Sequence, residues 1–74
     1  MPKLPVVSGV KTVKALSKVG FVVDHQTGSH MILRHRVEPH RRITVPNHRE
    51  LAKGTLRAII NDAGLSIEEF VNLL

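Results

Sequence analysis

The 74-residue chain has no cysteine, tryptophan or tyrosine, and Phe21 and Phe70 are its only aromatic rings of the Phe, Tyr and Trp kind. Without cysteine there is neither a disulfide framework nor a thiolate metal site. Without exposed aromatic rings the chain lacks the stacking platforms on which single-stranded nucleic acids are read. The core must therefore be aliphatic, and any RNA contact should go through phosphates and 2′-hydroxyls. No apolar run approaches the roughly 20 residues of a membrane span. The opening "MPKLPVVSG" has no charged stretch followed by an apolar one, so a cytoplasmic protein with no membrane contact is expected. Acids are scarce as well, at six against eleven Lys and Arg, for a formal net charge of +5.

What is present fits a folded chain: 42% hydrophobic and 23% charged residues argue against disorder. This length accommodates one core, so a single domain is expected over residues 1–74. Such a chain buries only about 60% of its unfolded surface. The charge is unevenly spread. Arg34, Arg36, Arg41, Arg42, Arg49, Lys53 and Arg57 crowd the middle with His35, His40 and His48, against Glu38 and Glu50 alone. Asp62, Glu68 and Glu69 lie at the end. A basic middle of this kind suits phosphates or an acidic protein, although it also serves as a solvated surface.

Pattern and punctuation give the element order. Ser8 is a candidate N-cap, Val10, Val13, Leu16 and Val19 recur at helical spacing, and Gly20 stops a helix over about 9–19. "GFVVDHQTGSHMILRH" reads as a hairpin, with Phe21 and Val23 alternating with polar neighbours on the first strand, Thr27-Gly28 at the turn, and Met31 and Leu33 inward on the second. His30, Ile32 and Arg34 then point to the other face. "RRITVP" is a third strand with Ile43 and Val45 inward and Arg42 and Thr44 outward. A second helix runs from about Lys53 or Gly54 to Gly64 on Leu56, Ile59, Ile60 and Ala63. Ser66 and Glu69 form a capping box opening a last short helix with Phe70, Leu73 and Leu74. Helix, three strands, helix, short helix gives an α+β layer with its helices on one face.

The uncovered face would carry His30, Arg34, Arg42 and Thr44. Imidazole both takes and gives a proton near neutral pH, and guanidinium groups suit phosphate oxygens. A histidine and cations beside a phosphodiester suffice for RNA cleavage without a metal. An exposed polar residue on a strand is the simpler reading of His30. In "AKGTLR", Lys53, Gly54 and Thr55 open a helix whose free N–H groups suit a phosphate, or they are merely a helix start. The full phosphate-loop pattern is absent. The other histidines lack partners at metal-ligand spacing, with His25 alone on the first strand, so no metal or cofactor is expected. A serine triad fails for want of an acid near His30, since Asp24 faces water at the hairpin.

"SGVKTVKALSKVGF", "TGSHMILRH" and "RRITVPNHRELAKGTLRAIINDAGLSIEEF" together resemble the HicA (YcfA-like) family of bacterial and archaeal toxin–antitoxin systems, over nearly the whole chain. The resemblance implies a fold like the double-stranded-RNA-binding domain. It implies an mRNA interferase, an endoribonuclease held in check by a HicB-type antitoxin. The family's catalytic histidine falls on His30, the turn that aims it on Gly28 and Ser29, and the basic start of the second helix on Lys53, Gly54 and Thr55. Relatives often carry a second histidine or an aromatic residue directly after the first, where this chain has Met31, and an acid where it has Lys11. A second proton donor is thereby left open, with His35 and Lys53 at hand. Two readings of other kinds stand beside the enzyme: a non-catalytic double-stranded-RNA-binding module, and an inactive homologue that only docks a protein partner.

Overall fold

The computed structural model describes residues 3–74. Helix α1 (Gly9–Ser17) opens on Ser8, whose Oγ accepts a hydrogen bond from the Lys11 backbone N–H at 3.1 Å. One free donor of the first turn is thus satisfied. The helix ends at Ser17, earlier than its hydropathy suggests, with Val19 and Gly20 already in the turn. Its buried face also differs from the expected valine stripe. Gly9, Thr12, Ala15 and Leu16 are buried, Val13 and Val19 are half-buried, and Val10 is 46% exposed.

Small residues win because this helix crosses close to the end of the sheet. The Gly9 N–H donates to the His48 carbonyl at 2.9 Å, and a Cβ on Gly9 would collide with the Pro46 carbonyl oxygen. Thr12 is wholly buried, yet its hydroxyl donates to the Ser8 carbonyl at 2.9 Å, so the burial leaves no polar group orphaned.

Strands β1 (Phe21–Thr27), β2 (His30–His35) and β3 (Arg42–Pro46) form an antiparallel sheet in that spatial order. Strands β2 and β3 alternate as expected. Met31, Leu33, Ile43 and Val45 are buried, while His30, Arg34, Arg42 and Thr44 are exposed. Strand β1 does not follow suit. Only Phe21 is buried; Val23, which alternation groups with Phe21, is 48% exposed on this edge strand.

A bulge follows at once. Val23 pairs with Leu33 and His25 with Ile32, so Asp24 is an extra residue in the ladder. An extra residue reverses the alternation beyond it. His25, opposite Ile32, and Thr27, opposite His30, therefore lie on the uncovered face.

Helix α2 (Lys53–Asp62) buries Leu56, Ile59 and Ile60, with Ala63 half-buried beyond its end. Helix α3 (Ile67–Leu73) has the expected capping box: Ser66 Oγ accepts from the Glu69 N–H at 3.0 Å, and Glu69 Oε1 accepts from the Ser66 N–H at 2.8 Å. Phe70 is wholly buried, whereas Leu74 is 49% exposed. Arg41 donates to the Asp62 carbonyl and Lys18 to the Leu73 carbonyl, at 3.2 and 2.7 Å. Both cations thus sit where the helix dipoles favour them. Leu51, in a segment that reads as a turn, is buried and donates its N–H to the Val7 carbonyl at 2.9 Å. Helix α1 packs on β1 and β3, α2 on β3, and α3 on both other helices. The result is the expected α+β layer with one face of the sheet left open.

Candidate functional site on the open sheet face

The hairpin that presents His30 is tight. Thr27 pairs with His30, leaving Gly28 and Ser29 as a two-residue turn. Gly28 has φ +50°, the positive value that a type II′ turn requires at its first central position. The Ser29 carbonyl accepts the Asn47 N–H at 2.6 Å, and His30 itself pairs with Pro46. The backbone of His30 is thus held by both neighbouring strands. Its ring is exposed and hydrogen-bonds to no other described residue. A held backbone with a free imidazole is what a group meant for an outside molecule needs.

Arg34 lies four residues along β2 from His30 on the same face, with Ile32 between them, and Arg42 lies directly opposite Arg34 on β3. Both are exposed, as is Thr44, opposite Ile32. The bulged residue Asp24 joins this face: its Oδ2 is 2.9 Å from His25 Nδ1 and 3.7 Å from Arg42 Nη1. The Asp24 carboxyl is held below its ordinary value, chiefly by the hydrogen bond from His25. The charges of Arg42, His25 and Arg34 add to this and together outweigh desolvation. Lys53, Gly54 and Thr55 stand apart from this group, opening α2 in the helix layer. Ala52, their N-cap, offers no side-chain hydrogen bond, so the first N–H groups of α2 stay uncapped by a side chain.

The remaining histidines sort themselves by contacts. His35 Nε2 donates to the Val19 carbonyl at 2.8 Å, Nδ1 accepts from the Val37 N–H at 3.1 Å, and the ring meets Phe21 edge-on at 4.8 Å. His35 pairs with Phe21, on the helix side of the sheet. His35 is therefore held on the helix side and does not reach the open face as a second proton donor. His40 Nδ1 donates to the His35 carbonyl at 3.0 Å. Among the described residues, no three His, Asp or Glu side chains converge as metal ligands.

The pair that sequence reasoning missed is Asp24–His25. Strict alternation from Phe21 sends His25 to the helix side, and only the bulge brings it out. An Asp-His step before the turn is the one trace of it in the chain.

A single helix, a three-stranded antiparallel sheet and a second helix, with a basic histidine-bearing face left open, define a small α+β domain with the element order of the double-stranded-RNA-binding fold. The family model described as the HicA toxin of bacterial toxin–antitoxin systems matches residues 10–65. The chain belongs to the HicA toxin family, and its place is the toxin side of a toxin–antitoxin pair. The matched span runs from α1 through α2 and includes every strand. No curated protein matches the chain. Among the described residues, no helix is long and apolar enough to cross a membrane.

Proposed function

We propose that this HicA family member is a cytoplasmic endoribonuclease that cuts mRNA without a metal, using His30 for proton transfer. A HicB-type antitoxin silences it by covering the open sheet face. The observation that carries the reading is the free His30 ring displayed on the same open sheet face as Arg34 and Arg42 in a chain of this family.

In this mechanism the substrate's own 2′-hydroxyl is the nucleophile. As its proton leaves, the 2′-oxygen bonds to the adjacent phosphorus and the 5′-oxygen departs. The products are a 2′,3′-cyclic phosphate and a 5′-hydroxyl. His30 serves as the general base, a role worth about 10²–10⁴-fold in rate. Arg34 and Arg42 bind the non-bridging oxygens and compensate the charge that gathers there. Gly28 and Ser29 hold the ring's backbone in place, and Lys53, Gly54 and Thr55 take a neighbouring phosphate at the start of α2.

RNA cleavage in excess chelator, by wild type and His30→Ala prepared identically, tests this reading. Cutting by the wild type alone is expected. Equal cutting by both removes His30 from the chemistry. Binding without cutting by either protein leaves a double-stranded-RNA-binding module or an inactive toxin.

A further inference from the structure

Cleavage by this route moves two protons, and His30 accounts for one. The 5′-oxygen leaves as a poor leaving group unless a second group protonates it. We propose that His25 is that second catalytic residue, the general acid, with Asp24 as its positioning residue; this rests on the ribonuclease reading above.

Three features of the sheet support the assignment. The bulge at Asp24 turns His25 onto the face that carries His30. His25 pairs with Ile32 and Thr27 with His30, so the two histidines are diagonal neighbours across β1 and β2. Diagonal neighbours stand about 7–8 Å apart on one face, a spacing that lets two rings address opposite sides of one phosphate. Lastly, Nδ1 of His25 donates to Asp24 at 2.9 Å, which fixes the ring and leaves Nε2 to point away from the carboxylate.

The asymmetry between the rings assigns the roles. His30 has no carboxylate beside it; His25 has one. A carboxylate on Nδ1 compensates the positive charge of a ring that has a proton to give. Arg42, 3.7 Å from the same carboxylate oxygen, steadies it from β3. The charged and titratable groups facing His25 are thus Asp24 on its own strand, His30 and Arg34 on β2, and Arg42 on β3.

The step balances. His30 takes the 2′-hydroxyl proton as the O2′–P bond forms. The P–O5′ bond breaks with its electron pair on O5′, and His25 Nε2 supplies the proton that O5′ takes up. One ring ends with a proton gained and the other with one lost, and exchange with water resets both.

The test compares two substrates: ordinary RNA, and the same RNA with the scissile 5′-oxygen replaced by sulfur. A thiolate leaves without protonation, so it has no use for a general acid. His25→Ala should cut ordinary RNA about 10²–10⁴-fold more slowly than wild type, yet cut the sulfur-linked substrate at close to the wild-type rate. Asp24→Asn should show the same selectivity with a smaller loss, about 10–100-fold. His30→Ala should lose both substrates. The His25 side chain is 51% exposed, so the variant should fold like the wild type, with its unfolding transition lowered only slightly by loss of the contact to Asp24. Wild-type cutting of both substrates, with His25→Ala either unimpaired on both or equally slowed on both, overturns the assignment alone. A wild type that cuts neither overturns the ribonuclease reading, and the assignment falls with it.

Discussion

Arg34 and Arg42 face each other directly across β2 and β3, on the uncovered side of the sheet. Like charges placed opposite in a sheet repel by several tenths of a kcal/mol to about 1 kcal/mol. Of the two, Arg42 is the one in ion-pair contact with Asp24, at 3.7 Å, and that contact is exposed. The pair stores a small mutual repulsion that an incoming anion relieves. A phosphate between the two guanidinium groups does this in the geometry that Arg prefers.

Removal of either arginine should accordingly weaken RNA binding while leaving the fold intact. Arg34→Ala and Arg42→Ala are each expected to lower the slope of log affinity against log salt by about 0.7–0.9. Their unfolding free energies should stay within about 0.5 kcal/mol of wild type. Fluorescence anisotropy titrations at several salt concentrations read the slope. If both slopes match the wild type, phosphates bind elsewhere.

The Asp24 carboxyl links stability to acid. Its value in the fold lies below the ordinary 3.8 because His25, Arg42 and Arg34 favour the anion. The sign follows from linkage: the unfolded chain binds this proton more readily, so the contribution is complete above the unfolded value. It is lost as pH falls through the folded one. Urea unfolding of Asp24→Asn should therefore show a flatter decline than wild type below about pH 4. Parallel curves for the two proteins would mean that the carboxylate contributes nothing to the fold.

Gly9 is the tightest point between helix and sheet. A methyl group there meets the Pro46 carbonyl oxygen, with Pro46 C at 3.1 Å and Asn47 Cα at 3.3 Å, all backbone that cannot rotate away. Gly9→Ala should cost about 1–3 kcal/mol despite its better helix propensity. At this size that lowers the melting temperature by about 4–8 °C per kcal/mol. A thermal melt at the wild-type temperature would show that α1 can move off the sheet freely.

The two hydrophobic faces of α1 make a paired test. Leu16 is wholly buried and Val10 is 46% exposed. Leu16→Ala should destabilise by about 2–5 kcal/mol, while Val10→Ala should stay within about 0.5 kcal/mol or stabilise slightly through propensity. Chemical denaturation of the two variants measures both. Comparable losses would restore the valine stripe as the buried face.

Much of the site was legible from strand alternation. The hydrophobic pairs Met31–Leu33 and Ile43–Val45 have to face the helices, and that alone sends His30, Arg34 and Arg42 outward together. The place of the turn was legible to within one residue: Thr27-Gly28 reads as the turn, whereas Thr27 still pairs with His30 and Gly28-Ser29 make it, with Gly28 at a positive φ that few other residues adopt. The Asp24–His25 pair was not, because a bulge is a decision between two strands. Nothing in "FVVDHQT" marks which residue is the extra one.

By itself the sequence determined the elements, their order and most of their starts, though not the end of α1 at Ser17. Ser8, Gly28, Ser66 and Glu69 act on backbone groups within three or four residues, and the apolar periods of β2, β3 and α2 need no distant partner to be read. Only the tertiary structure decided how those elements meet. It put Gly9, Thr12 and Ala15 rather than Val10 against the sheet, because backbone was close there and small side chains fit. It shifted the β1 register by one residue and so moved His25 to the open face. It also tied up His35 on the Val19 carbonyl, the Val37 N–H and the Phe21 ring, and so made a structural residue of a candidate proton donor. Each outcome depends on packing between segments far apart in the chain, where local preference has no say.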